Sequence, residues 1–555
     1  MIDITSELSK NENWYNYNKF VQTRKWDDKA ISLVLCDISP SDYKPFYFGV
    51  NIIDKIVNNS RYNCGRAIWK HGNGSMEWYT KKSIKEFDVI GLGVYMYFQI
   101  FAIPAFLADN KIQPLAKYRK DSDPIIILGG QAFYLFNGYD KFIDIACIGE
   151  GEEWILDILE ICEKYKGNRK KIIEEAASIR GSYCPEIHGT GAYPRITKRI
   201  IAEENLHNSL LDYSSIESKT TRKVIEIARG CKYNCGFCSL AKRMYPFRQN
   251  DIEHIKKTID TFPPGSQIYP FAPDEASFSH HSELADWCNF KGYKYFRYNF
   301  RINTIKEEDI KFKNVANQVV FGVDGISQRI IDITNKNIKI SKLLEISEDI
   351  FRNDYALLKL NYVFNYHFET DKDYEELEQL LRTLIEKRLA IGNKKTMIRI
   401  APTPYIPEPF APLNFLPIRE DINSKFADIV YRIKKSYFDR GIIPMIKMNG
   451  LQGYENWFAA VVIHRLESLS ELVYFAYKNN YKRSSFSNDL FVLILKYLKL
   501  KGIKKEQLFA ELDIEKEYWF DKIDWSAGLL NDREIIRKNY LSIKRKINKH
   551  ELQIK

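Results

Sequence analysis

Ile227–Cys238 reads IARGCKYNCGFC and gathers three of the chain's nine cysteines, Cys231, Cys235 and Cys238, in C-x₃-C-x₂-C order. Thiolates are soft ligands whose usual partners are zinc or an iron–sulfur cluster. A structural zinc takes four protein ligands, generally as two separated pairs. Here the fourth would have to come from distant Cys288, His280 or His281. A four-iron cluster held by three cysteines instead leaves one iron open to a small molecule. Placement favours the cluster, because the loop directly follows the first apolar strand of a long alternating series.

That strand is KVIEIARG (Lys223–Gly230), and the series continues through SQIYPFAPDE (Ser266–Glu275), YFRYNFRINT (Tyr295–Thr304), NQVVFGVDGIS (Asn317–Ser327), ALLKLNYVFNY (Ala356–Tyr366) and KTMIRIAPTPY (Lys395–Tyr405). Helical stretches such as Asp371–Arg388 separate the strands. Strand–helix repeats of this kind predict a partial (β/α)6 barrel of TIM type over 221–420, with its chemistry at the carboxyl ends of the strands. Upstream, ISLVLCDI, FDVIGLGVYM, DPIIILGG and DIACIGEGEE are apolar strands spaced by helices. They predict a Rossmann-like parallel sheet over 31–170, covered on both faces. Gly129, Gly130, Gly149 and Gly151 stand at its strand ends, where such sheets bind ligands. Residues 1–30 read as an extension and 171–220 as a connector turning at GTGAYP (Gly189–Pro194). After the Pro-rich Ala401–Pro417 the periodicity becomes helical, so 421–555 is expected to be a mainly helical module.

The chain has 555 residues, 45% hydrophobic and 14% aromatic, enough for several cores. Its formal charge of +11 comes from Lys and Arg spread over the whole chain and is densest in Arg533–His550. A nucleic-acid partner is one reading of that excess, and a solvated surface the other. The six remaining cysteines are scattered singly, which predicts a reducing cytoplasm rather than a disulfide framework. No signal peptide is read at the start. The longest apolar run, Tyr95–Ala108, is shorter than the ~20 residues a bilayer needs, so no membrane span is expected.

The cysteine loop, preceded by RG and with Phe237 before its last cysteine, resembles that of the radical S-adenosylmethionine (SAM) superfamily. FAPDEAS (Phe271–Ser277), FGVDGISQRIIDITNKNI (Phe321–Ile338) and NYHFETDKDYEEL (Asn365–Leu377) resemble further segments of that core, although the last lacks the family's glycines and proline. The resemblance implies a [4Fe-4S] cluster on Cys231, Cys235 and Cys238, with SAM chelating the fourth iron and being cleaved to a 5′-deoxyadenosyl radical. It implies that Phe237 packs beside the adenine and that Asp274 and Glu275 receive the methionine ammonium. Asp324 would accept from the ribose hydroxyls, Arg329 pair with the methionine carboxylate, and Ser327 lie nearby. Lys336 reads as surface. Tyr366, His367 and Glu369 are candidates to face the substrate, and His280–His281 a loop contact. A low-potential electron donor follows as a partner.

FDVIGLGVY, IILGGQAFY and CIGEGEE resemble the cobalamin-binding-like domain that precedes the core in a large subgroup. The D-x-H-x-x-G histidine is missing from CDISPSDYKPFYFG (Cys36–Gly49), so cobalamin would be held through backbone at Gly129–Gly130 and Gly149–Gly151, or not at all. The expected activity is methyl transfer or another carbon-centred modification of an unidentified substrate. Two alternatives are a methylthiotransferase or other radical modification of a nucleic acid, and a non-catalytic iron–sulfur protein that binds nucleic acid.

Overall fold

A computed structural model describes residues 26–39, 48–69, 72–77, 80–189, 195–211, 222–296, 299–311, 317–422, 424–450, 452–524, 526–529 and 532–554. Residues 1–25 of the expected extension, 40–47 of the loop after the first strand and 190–194 of the GTGAYP turn lie outside them.

The apolar runs of the first half become strands β1 (Ser32–Asp37), β2 (Asn63–Ile68), β3 (Val89–Gly93), β4 (Ile125–Gly129), β5 (Ile145–Cys147) and β6 (Ser182–Tyr183), in spatial order 2-1-3-4-5-6. All pairings are parallel except β5–β6. This is a doubly wound order whose crevice opens where the chain reverses, between β1 and β3. Strand β2 (NCGRAI) is not apolar enough to announce itself, and β6 carries the sheet beyond the expected boundary at 170. Helices α1 (Phe48–Asn58) and α2 (Gly151–Lys164) cover one face.

The second series forms parallel strands β7 (Arg222–Glu226), β8 (Gln267–Phe271) and β9 (Lys294–Tyr295), then β10 (Asn299–Phe300), β11 (Gln318–Gly322), β12 (Leu357–Phe364), β13 (Met397–Pro404) and β14 (Ile446–Met448). All six expected strands are present, the third broken into β9 and β10. Strand β14 is additional, so the barrel sheet runs past the expected limit at 420.

Burial alternates along β12 and β13. Leu358, Leu360, Tyr362 and Phe364 pack outward onto the helix layer, where Phe426 meets the rings of Tyr362 and Phe364. Asn361, Val363, Ala401 and Thr403 face the other way and keep solvent contact. The lumen is therefore a lined space, not the filled core of a closed eight-stranded barrel.

The C-terminal module is helical but not separate. Helix α5 (Tyr454–Arg465) is buried all round from Trp457 onward, as expected of a helix threaded through a core. One hydrophobic core runs unbroken from Val34 through the barrel to Ile547. Among the described residues no helix is long and apolar enough to cross a membrane.

Candidate iron–sulfur and SAM site

The cysteine loop leaves the carboxyl end of the first barrel strand and is clamped from several sides. The Gly236 N–H donates to Thr334 O (2.7 Å), and Leu413 N–H donates to Gly236 O (2.9 Å). A Cβ on Gly236 would lie 2.7 Å from the tip of Ile543 of helix α6 (Asp532–Ile554), which would have to shift to admit it. Two sulfurs already accept hydrogen bonds: Cys235 Sγ from Arg301 Nη1 (3.5 Å) and Cys238 Sγ from Leu240 N–H (3.4 Å). Burial raises the Cys231 thiol, and burial followed by the Glu408 carboxylate pushes Cys238 up to about 12. Metal ligation would therefore displace protons from these thiols. Among the described residues no three His, Cys, Asp or Glu side chains form a group that could hold a single ion. The distant candidates for a zinc's fourth ligand are engaged elsewhere: His280 meets Glu283, His281 meets Asp309, and Cys288 is packed in a separate core. Donor softness and sulfur-directed N–H groups fit an iron–sulfur cluster.

Arg301, hidden in an aromatic-rich strand, organises this end of the barrel. Its guanidinium lies 3.7 Å from the Tyr233 ring centroid, reaches Cys235 Sγ and donates to Lys336 O. Its backbone N–H donates to Asp274 (3.1 Å). Asp274 also accepts from Tyr233 OH (3.2 Å), Ser277 Oγ (2.7 Å) and Thr304 Oγ1 (3.2 Å). Four donors occupy both of its oxygens, so Asp274 ties the cysteine loop to β10. Glu275 is buried beside it.

Asp324 follows β11 in the left-handed region, at φ 52°. Its carboxylate pairs with Lys336 at 2.5 Å, and that amino group lies 6.0 Å from the Phe237 ring centroid. Lys336 is thus a buried member of the site rather than surface. Phe237 is half-buried against the core. Arg329 and Ser327 both make contacts within the fold. Arg329 forks onto Asp373, with Nε 3.0 Å from Oδ1, and donates to Phe368 O (2.8 Å), so its guanidinium is engaged in the fold. Ser327 accepts from Ile330 N–H (3.2 Å) as the N-cap of helix α3 (Gln328–Ile333) and donates to Asp373 (2.5 Å). Sequence alone does not separate a cofactor-binding Arg from one that pins α3 to α4 (Asp371–Ala390).

Beyond β12, Tyr366 and Glu369 are buried and His367 is half-buried. Tyr366 stacks on Phe368 and approaches Tyr405 (centroids 4.9 Å apart). Among the described residues the hydroxyls of Tyr366 and Tyr405 meet no hydrogen-bond partner, whereas Glu369 Oε2 accepts from Tyr374 OH (2.6 Å). Burial lifts the Glu369 carboxyl to about 7 and lowers His367 to about 4. A raised carboxyl contributes stability at low pH that is lost as pH climbs through its folded value. Glu369→Gln removes that loss. Its melting temperature relative to the parent protein should therefore rise between about pH 5 and about pH 8, equivalent to roughly 3 kcal/mol. An offset that is the same at both pH values would refute the buried, raised carboxyl.

The glycines of the N-terminal sheet serve close packing. A Cβ on Gly130 (φ 100°) would meet Val94 O at 2.6 Å, and one on Gly149 (φ 117°) would meet Arg199 O at 2.1 Å. Gly151 abuts Ile53, and Gly129 alone of the four faces open space. At the β1/β3 crevice Gln99 bridges inward, donating to Ser39 Oγ (2.9 Å) and accepting from Tyr95 and Met96 N–H. Gly130 and Gly149 thus pack closely against backbone of the same chain.

The fold is a clamped three-thiol loop at the open end of a partial (β/α) barrel, joined to a doubly wound domain. Residues 63–185 match the family described as "Radical SAM proteins, N-terminal". The chain is 23% identical over 284 residues to ribosomal protein uS12 methylthiotransferase RimO of Chlorobaculum tepidum, covering 46% of this chain and 62% of that one. It is 20% identical over 333 residues to the uncharacterized protein MJ0966 of Methanocaldococcus jannaschii, covering 59% and 68%. Among solved structures it resembles the cobalamin-dependent SAM radical enzyme OxsB with aqua-cobalamin bound (TM-score 0.48, 11% identity, 94% of this chain and 81% of that one). The likeness to radical SAM proteins thus rests on residues 63–185 and on these curated relatives. The chain spans less than two thirds of the length of the Chlorobaculum relative.

Proposed function

We propose that this protein is a radical SAM enzyme whose cluster sits on Cys231, Cys235 and Cys238. The observation that carries the reading is the clamped loop, with N–H donors aimed at two of its three sulfurs. When bound, cluster and SAM together supply a hydrogen-abstracting 5′-deoxyadenosyl group after one-electron cleavage. The chain's own residues orient and shield. Phe237 offers an apolar face, and Asp324, already oriented by Lys336, stands at a strand end where it can accept from ribose hydroxyls. The half-exposed lumen around Asn361, Val363, Ala401 and Thr403 is the space for a substrate, with Tyr366, Tyr405 and Glu369 as its polar wall.

Two observations weigh against the alternatives. The cysteines of a methylthiotransferase's second cluster have no counterpart among the described residues, since Cys36, Cys64 and Cys147 are packed into the sheet and burial raises each thiol. Helix α6 has much of its positive charge engaged: Arg533 with Glu517, Arg537 with Glu515, Lys544 with Glu511. A phosphate backbone would have to displace those partners.

The test is anaerobic reconstitution with iron and sulfide, chemical reduction in the presence of SAM, and mass spectrometry of the nucleosides. 5′-Deoxyadenosine is expected. S-adenosylhomocysteine formed only when cobalamin is added would specify methyl transfer. A fully loaded protein that leaves SAM intact, with or without cell extract as substrate source, would refute the enzyme reading.

A further inference from the structure

Glu408 follows β13 in the Pro-rich YIPEP segment and reaches across the barrel mouth to the cysteine loop. Its Oε2 accepts both hydrogens of Ser239, the backbone N–H at 2.9 Å and Oγ–H at 2.7 Å. Ser239 is the residue after Cys238, and the turn it starts aims Leu240 N–H at Cys238 Sγ. Arg243 braces the other side, donating from Nε to Ser239 Oγ (2.7 Å) and from Nη1 to Gln131 O (3.1 Å) of the N-terminal domain. Its guanidinium lies 4.6 Å from the Tyr134 ring centroid. Tyr134 OH in turn lies 3.3 Å from His464 Nε2 in α5. His464 Nδ1 donates to Ala460 O (2.7 Å), so Nε2 is the acceptor for that hydroxyl. All three modules thus converge on the turn that carries the third thiol.

Burial opposes ionisation of Glu408, but Arg243 and the two Ser239 hydrogen bonds outweigh it and hold the carboxyl below its ordinary range. Glu408 is therefore an anion at neutral pH. Its carboxylate is fixed on Ser239, the residue next to Cys238. Cluster potentials respond to nearby net charge and to hydrogen bonds on the sulfurs. Arg301 favours the reduced state through Cys235, whereas a fixed anion beside Cys238 disfavours the incoming electron.

We propose that Glu408 is a positioning residue for the cluster, fixing the turn at Cys238 through Ser239 and holding the reduction potential down with its charge. This rests on the cluster assignment above. Glu408→Gln keeps an acceptor oxygen for Ser239 and removes the charge, whereas Glu408→Ala removes both. Ser239→Ala removes both hydrogen bonds of the hydroxyl, to Glu408 and from Arg243, and leaves the charge in place. The measurement is a mediated redox titration of reconstituted protein followed by electron paramagnetic resonance, with iron content as a second readout. Glu408→Gln should hold as much iron as the parent and titrate at higher potential, the reduced-to-oxidised ratio at fixed poise rising about tenfold, which is about 59 mV for one electron. Glu408→Ala should lose at least half of its cluster. Ser239→Ala should titrate with the parent. A Glu408→Gln protein that titrates with the parent overturns the charge effect, and an equal shift in Ser239→Ala overturns it by assigning the shift to geometry. A parent protein that takes up no cluster overturns the functional reading and this inference together.

Discussion

Replacing Cys235 by alanine is expected to abolish cluster retention and 5′-deoxyadenosine formation while leaving the protein folded. Cys235 is the middle ligand, buried, and its sulfur is the one that Arg301 approaches. Losing it leaves two thiolates, too few to retain a four-iron cluster against competing chelators. The apoprotein has little reason to unfold. The loop's backbone is fixed by Gly236, Leu413 and Thr334, none of which uses the thiol. Truncating one small side chain of this kind costs about 1 kcal/mol. Cys288→Ala is the matched control, a cysteine wholly inside the separate core of β7, β8 and their helices. It should melt earlier, by a cavity cost of about 1–2 kcal/mol, and still bind iron and make product. Iron content, visible absorbance and nucleoside yield decide the matter. Full iron retention by Cys235→Ala would remove the cluster from this loop.

The C-x₃-C-x₂-C spacing and the apolar strand runs were legible because each is local: ligand spacing lies within eight residues, and a buried strand announces itself in five to eight. Strands β1, β3, β4 and β5 and the six barrel strands follow from that signal. Strand β2 did not, since NCGRAI carries Asn63 and Arg66, whose side chains are satisfied by Asp27 O and by Asn51. The site residues fared according to how far their partners lie in sequence. Asp274 reads as a free carboxylate until β10 brings Arg301 and Thr304 to it. Arg329 reads as an anion receptor until Asp373, 44 residues on, closes its fork. Glu408 and Ser239 are 169 residues apart and give no sequence signal as a pair. Gly149 looked like a ligand contact because glycine permits close backbone approach. The approaching backbone turned out to be Arg199 of the same chain. Long-range polar closure, unlike hydrophobic periodicity, leaves no pattern to read.

Arg229→Met should be among the most destabilising single changes in the molecule, costing about 3–5 kcal/mol. Arg229 stands two residues before Cys231, and its guanidinium meets three carboxylates: Glu226 (2.7 Å), Glu152 (2.7 Å) and Glu150 (3.4 Å). Glu150 and Glu152 belong to the start of α2, so this cluster latches the N-terminal domain onto the first barrel strand. Glu150 is shared with Arg248. Burial opposes ionisation of Glu150, yet Arg229 and Arg248 together hold its carboxyl below the ordinary range. Such a depressed carboxyl contributes stability above its unfolded pKa, and that stability is lost as pH falls through the folded value. Methionine fills much of the arginine's volume but strands the carboxylates against one another, so their protonation becomes favourable in the variant. The stability gap between parent and variant should therefore be widest near pH 7 and narrow as pH falls below ~4.3, the ordinary Glu value. Urea unfolding followed by tryptophan fluorescence at both pH values measures it. Exposed pairs offer the contrast: Arg61→Met, which breaks a solvent-facing bridge to Glu163, should move the midpoint hardly at all. Because Arg229 precedes the cysteine loop so closely, the variant should also load iron poorly at temperatures where it is still folded. An Arg229→Met protein that unfolds with the parent at pH 7, or whose deficit grows rather than shrinks on acidification, would show that the two domains are not held by this charge cluster.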